Sequence, residues 1–286
     1  MSPETSDGDR GDAASSEHRP TYDAASYWQG LHRKGGLGAV ANPWVPEALN
    51  YWFYRNWAAR LDDYVGRQAL RPTTVFDVGA GTGYWVDWWL RHGAGTVSGC
   101  DLSPLAVERL TSRFGPGFSL VDLAAGSISG AFDLVSIMNV LLHIMDSAAF
   151  DRALRTAAAA VKPGGYLLLM EPSLAWPAPA WDELPAGATS RARPTRAYIG
   201  PLQAAGLTVV DIRAATALGS DPIESGRRSH RYWACVWRVT CGVSRRLPML
   251  APVIGRAIYY LDPVCLRFGA APSEKFLLLR RPESAS

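Results

Sequence analysis

Cysteine is scarce in this chain of 286 residues: Cys100, Cys235, Cys241 and Cys265 are the only four. No two of them form a C-x-x-C pair, and no Cys/His cluster has the spacing of a zinc site, so neither a metal-stapled fold nor a disulfide framework is expected. Reduced, buried thiols in a cytoplasmic protein are the expectation, with no bound metal. Charge of one sign is also lacking. The formal net charge of +3 does not argue for a nucleic-acid partner. Long apolar runs are missing too. The greasiest stretch, 249–268, is interrupted by Arg256, Asp262 and Arg267 and reads as a poor membrane span. The polar start, Met1 to Asp7, does not read as a signal peptide. No internal repeat is evident.

What is present is a substantial apolar fraction, 48%, enough for a large core, and eleven tryptophans. Residues 1–20, rich in Ser, Asp, Glu and Gly, read as a disordered tail, and 21–70 as an aromatic N-terminal lid. Within the lid, Leu49, Trp52, Phe53, Trp57, Leu61 and Tyr64 recur at helical spacing after Pro46, which predicts a helix near 46–66. From 73 to 214 strands and helices alternate. Strands are expected at 73–78, 96–101, 118–122, 132–138, 166–170 and 207–213, with a last one near 275–281. The alternation predicts an α/β fold, a mostly parallel sheet with helices on both faces. Residues 71–286 form the core, and 215–273 interrupt it as a helical insertion that caps the substrate side.

The run Val75-Phe76-Asp77-Val78-Gly79-Ala80-Gly81-Thr82-Gly83 is a buried strand emptying into a glycine turn that opens a helix. Glycines there let backbone approach a ligand closely. A dinucleotide fingerprint needs its third glycine at position 84, which is Tyr84; here it falls at Gly83. Asp101 ends the second strand, where a carboxylate accepts from both hydroxyls of a ribose, while Ser103 is better placed to cap the next helix. Asp122 ends the third strand, positioned to accept from an adenine amino group, with Leu123 to pack on the ring. Asn139 follows the fourth strand at the carboxyl edge, and His143 lies just beyond it.

Four motifs in order, FDVGAGTGYW, GCDLSP, FDLVSIMNVLLHI and VKPGGYLLLMEP, resemble those of class I S-adenosylmethionine-dependent methyltransferases of the small-molecule group that includes the ubiquinone/menaquinone type. The resemblance covers 73–214 and the final strand. It implies seven strands in the order 3-2-1-4-5-7-6, strand seven antiparallel. It implies that Asp77, Gly79, Ala80, Gly81 and Gly83 hold the methionine part of S-adenosylmethionine, Asp101 and Leu102 the ribose, and Asp122 and Leu123 the adenine, with Asn139 alongside. Tyr22 and Tyr27 become candidates for closing over the donor. The (D/N)-P-P-(Y/F) signature of amino-methylating relatives is absent; Asn139-Val140-Leu141-Leu142 stands in its place.

The expected function is methyl transfer to a small, partly apolar acceptor, at oxygen, with His143 as general base. An RNA- or protein-modifying methyltransferase and a non-catalytic S-adenosylmethionine-binding protein are the alternatives. Within the insertion, Arg231, Arg238 and Arg245 form one basic helical stripe, with Tyr232, Trp233, Val236, Trp237 and Thr240 on a separate apolar face. This suits either a cap helix or contact with a membrane surface.

Overall fold

The computed structural model of the chain describes residues 22–174, 188–218, 227–268 and 274–283. The expected tail at 1–20, residues 175–187 with Trp176 and Trp181, and parts of the insertion lie outside these residues.

Seven strands make one sheet: β1 (Thr74–Val78), β2 (Thr96–Asp101), β3 (Phe118–Leu120), β4 (Phe132–Met138), β5 (Val161–Glu171), β6 (Thr208–Thr216) and β7 (Glu274–Arg280). Their order is β3-β2-β1-β4-β5-β7-β6. The first five are parallel, and β7 runs antiparallel to both neighbours. The expected order therefore holds for this sheet. A separate parallel pair, Ser173–Leu174 with Arg193–Pro194, was not foreseen. β5 also starts earlier than expected, because Val161 pairs with Phe132 before a register shift at Gly164 and Gly165 lets Tyr166 pair with Leu134.

Eight α-helices accompany the sheet among the described residues: α1 (Ala24–Lys34), α2 (Glu47–Arg67), α3 (Tyr84–Arg91), α4 (Pro104–Phe114), α5 (Ser147–Ala159), α6 (Thr195–Ala204), α7 (Arg227–Arg246) and α8 (Ala251–Arg267). The two-residue alternation of strand side chains sorts the core into two layers. Val75, Leu134, Leu168, Met170, Phe276 and Leu278 face α2, α3 and α8. Phe76, Val135, Leu167, Leu169, Leu277 and Leu279 face α5 and α6. The tryptophans of α3, Trp85, Trp88 and Trp89, belong to the first layer, and Trp89 Nε1 donates to Ser136 Oγ at 3.3 Å.

α2 carries its apolar stripe as the spacing requires: Leu49, Phe53, Trp57, Leu61 and Tyr64 are buried, and Trp52 is partly covered. α8 lies across it. Gly255 makes the close approach possible, since a Cβ there would sit 2.5 Å from Trp52. We expect Gly255→Val to cost about 1–3 kcal/mol through overpacking, read from chemical denaturation; an unchanged midpoint would show that α8 does not depend on this contact.

α7 departs from expectation in two details. Arg231, Arg238 and Arg245 are exposed as one stripe, but Tyr232 is exposed with them, while Trp233, Val236, Trp237 and Thr240 turn inward. The expectation of buried thiols also fails in part. Cys100 is buried in the sheet, whereas Cys235 is exposed on α7.

Candidate methyl-donor site

Each chemically informative residue sits where a parallel strand ends, the edge at which open α/β sheets bind ligands. A cleft with aromatic and apolar walls runs along this edge. Of the residues singled out from sequence, Gly79, Ala80, Gly81, Asp101, Leu102, Asp122, Leu123, Asn139 and His143 line it.

Gly79 and Gly81 have φ of +66° and +55°, a region that disfavours any side chain. A Cβ at Gly79 would reach Val140 at 2.5 Å, and one at Gly81 would reach Val40 at 2.7 Å. The two glycines thus leave a backbone-walled cradle that a side chain would fill. Gly83 plays a different part. It starts α3 against Phe114 and Leu110 and does not line the cleft.

Asp101 fixes the cradle. Its Oδ2 accepts from Gly81 N–H at 2.8 Å, and its Oδ1 accepts from Ser103 N–H at 2.8 Å. Ser103 Oγ in turn accepts from Ala106 N–H, the helix cap expected of it. Each carboxylate oxygen accepts one backbone bond and has a further lone pair for a ligand hydroxyl. Asp122 stands at the exposed rim, where its Oδ1 accepts from Ala124 N–H at 2.9 Å, while buried Leu123 offers an apolar surface beside it.

Asp77 is not a lining residue. It lies beneath the glycine turn, bonded by Ser136 Oγ, and burial pushes its carboxyl up to about 7. Asn139 does line the cleft, in a left-handed conformation with φ of +58°. Its Nδ2 donates to Glu274 Oε1 at 3.1 Å, and its buried Oδ1 has no partner among the described residues.

The lid is built differently from expectation. Tyr22 and Tyr27 do not line the cleft. They form an edge-to-face aromatic row leading to Trp28, and it is Trp28 that meets the His143 ring, at 4.7 Å between centroids. Sequence reasoning also missed His32 on the same helix. It is buried, lines the cleft, and brings its Nε2 to 4.0 Å from Asp101 Oδ1; burial lowers its pKa, so it is neutral there. α1 is clasped to α4 by Ser103 Oγ donating to Gln29 Oε1 at 2.6 Å and by Arg109 Nη1 donating to the His32 carbonyl at 2.7 Å.

His143 donates its Nδ1–H to the Thr189 carbonyl at 2.7 Å. A carbonyl can only accept, so in the neutral ring the lone pair is on Nε2. Burial lowers the His143 pKa to about 4, keeping the ring neutral across the physiological range.

Two buried glutamates support this edge. Glu171 accepts from the N–H groups of Val140, Leu141 and Leu142, at 2.8, 2.8 and 3.1 Å, which sets the chain between Asn139 and His143. Glu274 accepts from Asn139 and from Thr216 Oγ1, and burial pushes it up to about 8. An acid whose native pKa exceeds its ordinary 4.5 holds its proton longer when folded. Its stabilisation is complete below the ordinary value and is lost as pH rises through the native one. We expect the melting temperature to fall between pH 5 and 8 through this group, and Glu274→Gln to flatten that fall; calorimetry across the range checks it, and equal slopes for both proteins would refute the assignment.

A parallel sheet ending in a glycine cradle, a ribose-type acid and a rim acid defines a Rossmann-like nucleoside-binding protein of the methyltransferase kind. The family profile described as "Methyltransferase domain" matches residues 50–212, and the chain belongs to that family. Curated relatives include the ubiquinone biosynthesis O-methyltransferases of Xanthomonas campestris pv. campestris (strain B100) and of Methylobacterium sp. (strain 4-46). The first is 38% identical over 118 residues, 38% of this chain and 47% of that protein. The second is 32% identical over 150 residues, 50% and 56% of the two chains. The chain thus spans about half the length of the curated relatives it matches.

Among solved structures, the N-methyltransferase NodS from Bradyrhizobium japonicum WM9, in complex with S-adenosyl-L-homocysteine, aligns over 90% of this chain and 99% of its own at 16% identity and a TM-score of 0.50. A S-adenosylmethionine-dependent methyltransferase from Clostridium acetobutylicum ATCC 824 aligns over 80% and 92% at 12% identity and a TM-score of 0.51. At these identities the likeness is one of fold.

Proposed function

We propose that this protein transfers a methyl group from S-adenosylmethionine to a hydroxyl of a small, partly apolar acceptor of quinone or isoprenoid type, in the cytoplasm. The observation that carries the chemistry is the His143 tautomer: a neutral ring in the cleft wall with its lone pair on Nε2. A hydroxyl must lose a proton as it attacks, and this nitrogen is the acceptor the cleft supplies.

The residues fit the donor. Asn139 Oδ1, an orphaned buried acceptor, suits the ammonium; the backbone at Gly79 and Gly81 suits the methionine chain. Asp101 suits the ribose hydroxyls, and Asp122 with Leu123 the adenine. S-adenosylmethionine, when bound, supplies an activated methyl on sulfonium. The protein's own work is to bind, to align and to exclude water. Trp28, Tyr54, Tyr84 and Trp85 give the cleft aromatic walls, which supports an apolar small molecule over a macromolecular acceptor. The ubiquinone O-methyltransferases among the relatives support oxygen as the site of transfer.

Isothermal titration with S-adenosylmethionine tests the donor assignment, and absence of binding overturns it. Incubation with a panel of phenolic and prenylated phenolic compounds, followed by mass spectrometry, tests the acceptor. Methylation confined to amines would overturn the hydroxyl reading.

A further inference from the structure

The insertion folds into a helical hairpin whose outer surface the methyl-transfer site does not use. α8 is apolar on two opposite faces. Ala251, Gly255, Ile258 and Asp262 point inward, and Asp262 Oδ1 accepts from the N–H groups of Ala217 and Leu218 at 2.8 and 2.7 Å, pinning the helix to the end of β6. On the other side Val253, Tyr260, Leu261, Val264 and Phe268 recur at helical spacing in solvent; Val253 is 66% exposed and Phe268 82%. A helix apolar all round is ordinarily covered all round. The segment Pro248–Arg267, with a mean hydropathy of 1.3, is long and apolar enough to cross a membrane, yet its inner face is seated on the protein.

The turn before α8 has the same character. Arg245-Arg246-Leu247-Pro248-Met249-Leu250 is exposed throughout, with Met249 at 81%. From Arg227 to Phe268 the sequence has eight arginines and a single acid, Asp262, and that acid is buried. The whole chain carries only +3, so the basic charge is concentrated in the hairpin.

We infer that this hairpin docks on an anionic membrane surface, with the outer face of α8 and the Met249 turn entering the lipid interface and the arginines meeting headgroup phosphates. An exposed apolar stripe flanked by cations, with no exposed acid among the described residues of the hairpin, is complementary to such a surface. A second copy of the chain fits poorly. Two-fold pairing through this patch would set arginine against arginine. A nucleic acid would satisfy the arginines and leave the apolar stripe uncovered. The inference stands apart from the methyl-transfer reading, because none of its residues lines the cleft.

The test is flotation of the full chain with phosphatidylcholine vesicles and with vesicles containing phosphatidylglycerol. We expect binding at least ~10-fold stronger to the anionic vesicles, weakened by high salt. Two variants separate the contributions. Met249→Asp with Val253→Asp and Phe268→Asp should abolish flotation. Arg245→Glu with Arg246→Glu should remove the preference for anionic lipid, and decides the matter should the first variant fail to fold. S-adenosylmethionine titration and circular dichroism report whether each variant is folded, and so keep a failure here distinct from a failure of the donor assignment. No flotation with either vesicle, or equal flotation by folded wild-type and variant proteins, overturns the proposal. So does a lipid-independent dimer that the aspartate variant disperses.

Discussion

Replacing His143 with alanine is expected to lower kcat by about 10²–10⁴-fold, the usual contribution of a positioned general base, while S-adenosylmethionine binds as before. The separation follows from position. His143 meets Trp28 and Thr189, whereas the residues proposed to hold the donor are Gly81, Asp101 and Asn139. The pH profile gives a second reading. With the imidazole held at about 4, the basic form is already present throughout the neutral range, so kcat/KM should show no histidine limb near 6.5 and should fall only as pH approaches 4. Single-turnover rates from pH 4 to 9 check both points. A His143→Ala protein with near-normal kcat would leave His143 a structural residue bonded to its loop.

Asp101→Ala should weaken S-adenosylmethionine binding by ~100-fold or more. Two hydrogen bonds from ribose hydroxyls to a charged acceptor are lost, at about 1.5–3 kcal/mol each. The variant also strips the acceptors of Gly81 and Ser103 N–H, both bonded to this one carboxylate, so the cradle loosens at its base. Asp101→Asn is the sharper comparison. It keeps the shape and one carbonyl acceptor but loses the charge, and should fall between wild type and alanine. Calorimetric titration measures the affinities, and a thermal melt separates lost binding from lost folding. Wild-type affinity in the alanine variant would remove Asp101 from the site.

The strand ends were legible in the sequence because their code is local. A buried strand followed within a residue or two by Gly79, Asp101, Asp122 or Asn139 announces both the edge of the sheet and the chemistry on it. All four line the cleft. Gly83 and Asp77 belong to the same local motif yet serve packing beneath the cleft, a distinction that only their neighbours Phe114, Leu110 and Ser136 reveal.

What could not be read depends on contacts far apart in the chain. His32 reaches Asp101 across 69 positions' worth of intervening fold, and its only local mark is a histidine on an amphipathic helix. Glu171 ends an apolar run, a signal that a buried carboxylate has partners, but its partners at 140–142 lie on another strand's loop. Glu274 opens the last strand next to Lys275 and reads as a solvated turn until Asn139 and Thr216 close around it. Tyr22 and Tyr27 pack in a row that leads to Trp28, and it is Trp28 that the helix turns to the histidine.

The clasp on α1 has a kinetic consequence. One short helix touches the donor half through His32 and the acceptor half through Trp28, and is held by Gln29 and by the His32 carbonyl. In the proposed function one helix therefore borders both ligands, and loosening it changes access to both. A Gln29→Ala protein, which loses the hydrogen bond to Ser103, should release S-adenosylmethionine faster, read by stopped-flow dissociation; an unchanged rate would show that the latch does not hold the donor.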